Sequence, residues 1–187
     1  MTRNPEFTVF TGSMFSSKTT QLLTAIERYR YQGLNVLVIK PIIDDRYSGS
    51  DVTTHSGWGV PAVTVQSGDD LLNYIADLEE PPQVVADDEA FMIDGIATAL
   101  EWLFKQGLHI AVSTLDISAT GQVFKEVRDM LPWATRVVKT AAVCTVCGSD
   151  APYTHRRMSG DEITVGGPEL YEPRCFTHHV AINERDK

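Results

Sequence analysis

Short apolar segments and amphipathic segments alternate along the first 140 residues, and this alternation constrains the fold more than any other feature of the sequence. The apolar segments are rich in β-branched side chains and occupy residues 7–10, 34–40, 84–86 and 109–115. Nearly continuous apolar runs of this length are typical of strands buried on both faces of a parallel sheet.

Helices are predicted between these strands. Apolar residues recur at three- and four-residue spacings in Lys18–Tyr31, and Gly33 follows as a favourable helix C-terminus. Similar apolar stripes occupy residues 69–80 and 93–107. Alternating strands and helices predict a doubly wound, mainly parallel α/β sheet.

The chain changes in character after Lys139. The segment that follows is rich in Gly, Pro and Thr, lacks a helical stripe, and contains all three cysteines. With about 100–200 residues per domain as the usual range, we expect one main domain and a small appendage. The expected division is an α/β domain over residues 1–140 and a second domain over residues 141–187 that ends in a short polar tail.

The segment "TGSMFSSKTT" (residues 11–20) is similar to a loop that binds phosphate groups. The pattern G-x-x-x-x-G-K-[ST] accounts for Gly12, Lys18 and Thr19, but Ser17 stands at the second glycine. In such a loop backbone N–H groups surround phosphate oxygens, the lysine adds charge, and the hydroxyl binds Mg²⁺. If position 17 requires a positive φ, the serine costs about 1–2 kcal/mol. The alternative is a polar turn with a solvated lysine.

Three acidic residues, Asp87, Asp88 and Glu89, follow the predicted strand at 84–86. Beside a phosphate loop, one acid at such a strand end helps to hold Mg²⁺, and a second group orients and deprotonates the hydroxyl that receives the phosphoryl group. A solvated acidic turn is the alternative for this cluster.

The cysteines form a pattern that is typical of a zinc site. Cys144 and Cys147 have the spacing C-x2-C, and Cys175 precedes His178 with the same spacing. Three thiolates and one imidazole complete a tetrahedral Zn²⁺ site with no open position, so we interpret the site as structural. His179 is the alternative fourth ligand, although the spacing favours His178.

Composition excludes some classes of function. The formal net charge of −9 and the pI near 4.9 disfavour a surface that binds nucleic acid. We expect no membrane contact and a cytoplasmic location, because apolar runs are short and the N-terminus has no signal-peptide core.

In their order, the motifs resemble those of type II thymidine kinases over roughly residues 7 to 180. The motifs are "GSMFSSKTTQL", "VIKPIIDDRYS", "THSG", "DDEAF", "STLD", "VVKTAAVCTVC", "APYTHR" and "VGGPELYEPRCFTHH". Members of this family transfer the γ-phosphate of ATP to the 5'-hydroxyl of thymidine. The resemblance implies a RecA-like ATP-binding domain, a zinc-ribbon-like lasso domain that folds over the nucleoside, a homotetramer, and feedback inhibition by dTTP.

The resemblance also implies site residues. Glu89 is the base that accepts the 5'-hydroxyl proton, and Mg²⁺ is held by Thr19 and Asp88. The phosphates of ATP contact Gly12, Ser13, Met14, Phe15, Ser16, Ser17, Lys18, Thr19 and Arg46. The nucleoside contacts Met14, Leu115, Thr154, Ile163, Thr164, Val165, Gly166 and Tyr171. Zinc is bound by Cys144, Cys147, Cys175 and His178.

Two further positions depart from the family pattern. Phe91 stands where the family commonly has Gln, and Ala119 stands where it usually has a pocket aromatic. A deoxyuridine or altered pyrimidine preference is therefore a near variant of the thymidine kinase hypothesis. Two other hypotheses are a nucleotide-binding regulatory or assembly protein that has lost catalysis, and a zinc-ribbon nucleic-acid binder with an ATPase domain.

Overall fold

A six-stranded sheet, parallel throughout, forms the centre of the computed structural model, which describes residues 4–43, 51–54, 57–157 and 166–179. Its strands are β1 (Phe7–Gly12), β2 (Val36–Pro41), β5 (Val63–Val65), β6 (Val84–Asp88), β7 (His109–Thr114) and β8 (Arg136–Thr140). Between β2 and β5 lies a hairpin of β3 (Asp51–Thr53) and β4 (Gly59–Pro61). The spatial order of the sheet is β5-β2-β6-β7-β1-β8, which confirms the predicted fold class.

Helices cover both faces of the sheet. They are α1 (Lys18–Tyr31), α2 (Gly68–Ala76), α3 (Ile96–Lys105) and α4 (Lys125–Met130). Apolar residues of α1 pack with Phe10 of β1 and Val38 of β2 on one face. On the opposite face, α2, α3 and α4 contribute Leu71, Leu100 and Met130 to a second core. Each such fully buried side chain stabilises the fold by about 1.5–3 kcal/mol.

The helix bounds follow from local chemistry. Helix α1 has the predicted bounds, and its end is closed by Gly33, whose φ of 77° suits a residue without Cβ. Helix α2 spans Gly68–Ala76 rather than residues 69–80, because in a continued helix the ring of Pro81 would clash with the carbonyl group of Asp77. Helix α3 begins after Gly95 rather than at residue 93, because Ile93 is extended and Gly95 has a φ of 70°.

Beyond β8 the chain forms a small lobe of short antiparallel pairs. Strand β9 (Ala142–Val143) pairs with β10 (Asp150–Ala151), and β11 (Tyr153–Arg156) pairs with β12 (Tyr171–Arg174). A 3-10 turn, Phe176–His178, follows β12. The division of the chain into domains at residue 140 stays a prediction. Over the described ranges, no helix is both long enough and apolar enough to cross a bilayer.

Candidate active site and metal centre

A polar cleft lies at the carboxyl edge of the sheet. Because all six strands are parallel, their carboxyl ends meet at this edge, which is where open α/β sheets bind ligands. Residues from β2, the β1–α1 loop, the end of β6 and the β3–β4 hairpin line the cleft: Met14–Thr20, Lys40, Asp51–Thr54, Asp88 and Glu89. The structure therefore brings the predicted phosphate loop and the predicted carboxylates together.

Two side chains at the start of α1, directly after the loop, have defined partners. Lys18 is buried, and its Nζ donates a hydrogen bond of 2.7 Å to the carbonyl oxygen of Ser13. The Thr19 hydroxyl donates to the two carboxylate oxygens of Asp88 at 3.2 and 3.3 Å. Hydroxyl and carboxylate oxygens are ligands that suit Mg²⁺, which commonly completes its coordination with substrate phosphates and water. The pair therefore fits a magnesium site.

Unusual backbone angles concentrate in this cleft. Among the described residues, the non-glycine residues with positive φ are Phe15 at 65°, Ser17 at 62° and Glu89 at 60°. Such conformations cost about 1–3 kcal/mol each and cluster at functional sites, where the surrounding structure maintains them. Ser17 therefore occupies the strained geometry that a glycine would adopt without cost.

Replacing Ser17 by glycine should relieve this strain. Ser17 is exposed and its side chain makes no capping hydrogen bond, so Ser17→Gly should raise the free energy of unfolding by up to about 1 kcal/mol. The neighbouring Ser16 is the matched control. It donates to Ser13 O and shares a hydrogen bond with the Thr140 hydroxyl, both at 2.8 Å, so Ser16→Gly should lower the unfolding free energy by about 1–2 kcal/mol. Urea unfolding of both variants measures the difference, and a large destabilisation by Ser17→Gly would contradict the strain argument.

The three acidic residues at the carboxyl end of β6, Asp87, Asp88 and Glu89, lie in two different environments. Alternation along the strand directs Asp88 to the α1 face and Asp87 to the opposite face. Burial raises the pKa of Asp87 well above its ordinary value, and the Asp88 and Glu89 carboxylates raise it further. Asp87 is thus a buried group outside the cleft, whereas Asp88 and Glu89 line it.

The phosphate loop also contacts the small lobe. The Ser13 hydroxyl donates to the carbonyl oxygen of Ala151 at 2.6 Å, and the Met14 backbone N–H donates to the Thr154 hydroxyl at 2.9 Å. The Phe15 ring packs against the apolar cluster around Cys144. The resemblance implied a phosphate contact for Phe15; the structure places its side chain on the lobe and leaves its backbone in the loop.

Some of the predicted nucleoside residues lie together. Met14 packs against the cluster that contains Leu115, and it bonds to Thr154 through its backbone. On the β11–β12 pair, Tyr171 is diagonal to Thr154, because Thr154 is opposite Pro173 and Arg156 is opposite Tyr171. Gly166 precedes β12. Arg46, Ile163, Thr164 and Val165 lie outside the described residues.

An aromatic pair accompanies the Leu115 cluster. The rings of Phe91 and Phe124 have centroids 4.5 Å apart, and both side chains are buried beside Leu115. Phe91 thus adds a ring to the cluster that contains Leu115 and against which Met14 packs.

The four predicted zinc ligands meet in the small lobe. The ligand atoms of Cys144, Cys147, Cys175 and His178 all lie within 4.8 Å of one another. The Cys147 and Cys175 sulfurs are 3.8 Å apart, and His178 Nδ1 lies 3.2 Å from the Cys175 sulfur and 3.8 Å from the Cys144 sulfur. Tetrahedral zinc with bonds of about 2.0–2.3 Å requires separations of this size, so the donor set fits Zn²⁺.

Backbone hydrogen bonds favour the metal-binding thiolate form of Cys144. His179 does not belong to the cluster. Burial raises the pKa of the Cys144 thiol, but hydrogen bonds from the backbone N–H groups of Cys175, Val146 and Cys147 outweigh it and lower the pKa to about 6. His179 is buried, and its Nε2 hydrogen-bonds the carbonyl oxygen of Thr154 at 2.8 Å. The structure therefore favours His178 over His179 as the fourth ligand.

Lys40 lines the cleft and was not predicted as a site residue from the sequence. It is only 4% exposed and lies at the end of β2, among the residues that line the cleft. A usable signal was present in the sequence: Lys40 terminates an apolar strand, and the carboxyl ends of parallel strands face the ligand.

The fold and the cleft define an α/β protein with a parallel sheet, a loop of the phosphate-binding pattern at its carboxyl edge, and a Cys₃His cluster whose donor set fits a metal ion. A family model described as thymidine kinase matches residues 6–179, and the chain belongs to that family. This match confirms the resemblance to type II thymidine kinases and supports a nucleoside kinase activity.

Proposed function

We propose that this protein transfers the γ-phosphate of ATP to the 5'-hydroxyl of thymidine, giving dTMP and ADP. The observation that carries the proposal is the meeting of the loop residues Lys18 and Thr19 with Asp88 and Glu89 in one cleft. Phosphoryl transfer needs phosphate binding, a magnesium site and a group that orients the acceptor hydroxyl, and this cleft offers a residue for each.

Each side chain has a proposed role. Lys18 and the loop N–H groups bind the phosphates, with Arg46 as a further contact. Thr19 and Asp88 hold Mg²⁺, which when bound offsets negative charge on the phosphates. Glu89 accepts the proton of the 5'-hydroxyl as the sugar oxygen bonds to phosphorus.

The small lobe is proposed to exclude water from the reaction. It is attached to the phosphate loop through Ser13, Met14 and Phe15, so a nucleoside bound between lobe and cleft would be close to the phosphates. Exclusion of water favours transfer to the sugar over hydrolysis. We also infer two domains divided at residue 140, a homotetramer, feedback inhibition by dTTP and a cytoplasmic location, all from family membership and composition.

A nucleoside panel tests this function. The protein is incubated with Mg²⁺·ATP and, separately, thymidine, deoxyuridine, deoxycytidine, deoxyadenosine and deoxyguanosine, and the monophosphates are quantified. We expect turnover with thymidine and weaker turnover with deoxyuridine, since loss of one methyl contact changes kcat/KM by about 10–200-fold. Tight binding of ATP with no turnover of any nucleoside would refute kinase function and favour the catalytically impaired alternative.

The ring contact between Phe91 and Phe124 should affect binding of the nucleoside more than binding of ATP. Phe91→Leu removes the ring contact with Phe124, so the KM for thymidine should rise about 2–10-fold, with little change in the KM for ATP. Phe104→Leu is the control, because Phe104 makes a similar ring contact with Phe7, at 5.6 Å, near the opposite edge of the sheet. Both variants should lose about 1 kcal/mol of stability, but only Phe91→Leu should change the thymidine KM. Equal KM values for the two variants would contradict a role of Phe91 in nucleoside binding.

A further inference from the structure

Lys40 has an unusual position for a lysine at the end of a buried strand. The preceding residues of β2, Val38 and Ile39, belong to the apolar cores on opposite faces of the sheet. Lys40 is nearly as buried as they are, at 4% exposure, and burying an ammonium group is costly without compensating interactions. A neutral or apolar side chain would satisfy the packing of β2 at a lower cost.

The register of the sheet places Lys40 beside the reaction centre. Ile39 of β2 pairs with Asp87 of β6, so Lys40 and Asp88, the next residues on the two strands, are neighbours. Alternation along both strands directs these two side chains to the same face. Lys18, Lys40, Asp88 and Glu89 accordingly line one cleft.

Lys40 also contacts the β3–β4 hairpin. Its Nζ donates a hydrogen bond of 3.2 Å to the carbonyl oxygen of Asp51. This bond holds the ammonium group at the edge of the cleft. The carboxylates of Asp88 and Glu89 lie in the same cleft, and a bound triphosphate adds further negative charge.

We propose that Lys40 is a second phosphate-binding lysine of this site, in addition to Lys18, and contacts the γ-phosphoryl group during transfer. In the reaction the bond from the γ-phosphorus to the bridging oxygen breaks, and its electron pair stays on ADP. The acceptor oxygen bonds to the phosphorus and its proton passes to Glu89. Lys40 donates N–H groups to the γ-phosphoryl oxygens, whose charge is redistributed as this exchange occurs.

The inference rests on the proposed kinase function, but a binding measurement tests it without turnover. Titration calorimetry compares Mg²⁺·ADP with a non-hydrolysable β,γ-imido analogue of Mg²⁺·ATP. Lys40→Gln is the informative variant, because it keeps a donor for Asp51 and removes the charge. We expect it to weaken binding of the analogue by about 10-fold or more and to change binding of ADP by less than about 3-fold. The kcat for thymidine should fall about 10²–10³-fold, as for loss of a preorganised charge contact.

Two more variants complete the test. Lys40→Arg retains the charge and should recover a preference for the analogue over ADP. Lys105→Met is the control: it removes an exposed cation on α3 and should match the parent in every measurement. Equal weakening of ADP and the analogue, or no weakening of either, in Lys40→Gln would overturn the proposal and leave Lys40 with a structural role. If the parent phosphorylates no nucleoside but Lys40→Gln still binds the ATP analogue more weakly than the parent does, with ADP binding unchanged, the kinase function is refuted and the phosphate contact of Lys40 is supported.

Discussion

Glu89→Gln is expected to reduce kcat for thymidine by about 10²–10⁴-fold while the protein still binds ATP. The substitution preserves the size of the side chain and removes its ability to accept a proton. Glu89 follows β6 directly, has a φ of 60°, and lines the cleft together with Asp88. A steady-state assay with saturating Mg²⁺·ATP measures kcat and KM, and a separate titration measures ATP affinity.

The control for Glu89→Gln is Glu101→Gln. Glu101 lies on α3 and pairs with Lys105, away from the cleft, so its replacement should leave kcat within about 2-fold of the parent. Should Glu89→Gln retain more than about a third of the parental kcat, the general-base role would be wrong. A loss of ATP binding equal to the loss of kcat would instead assign Glu89 to the magnesium site.

The fold could be predicted largely from the sequence, because strand and helix signals were strong where burial was complete. Helix α1 has the predicted bounds, since its apolar spacing and its terminal glycine agree. Strand β8 was not predicted: it is an edge strand whose Arg136, Val137 and Lys139 are exposed, so it lacks a continuous apolar run. Strand β5 was also missed, since three residues are too few to establish a pattern.

The candidate site divides in the same way. The loop, the carboxylates and the Cys₃His cluster are short patterns with defined spacing, so the sequence alone predicted which residues belong to each of them. From the sequence, strain at Ser17 was expected only if position 17 required a positive φ. The structure has a φ of 62° there, so the strain is present. By contrast, the neighbourhood of Lys40 and Asp88 depends on the register of β2 and β6, which come from distant parts of the chain. The contact between Phe91 and Phe124 is similarly long-range.

The metal centre should influence the phosphate loop as well as the lobe. Phe15, which belongs to the loop, packs against the cluster that includes Cys144 and Cys175. Ser13 and Met14 bond to Ala151 and to Thr154 in the same lobe. Structural zinc supplies about 10–16 kcal/mol of apparent binding free energy in small zinc modules, comparable with or larger than the net stability of a domain. Loss of the metal should therefore disorder both the small lobe and the phosphate loop.

His178→Asn is accordingly expected to remove most of the bound zinc, and with it the lobe's contacts to the loop. The parent should contain about one zinc ion per chain by elemental analysis, and His178→Asn should contain much less. Turnover should fall by at least about 100-fold and ATP affinity should fall with it, because the loop loses the lobe cluster against which its Phe15 packs. His179→Asn is the matched control: it removes the hydrogen bond to Thr154 but should keep the zinc content of the parent. Zinc retained by His178→Asn and lost by His179→Asn would reverse the ligand assignment, and zinc loss with unchanged ATP affinity would show that the loop holds its shape without the lobe.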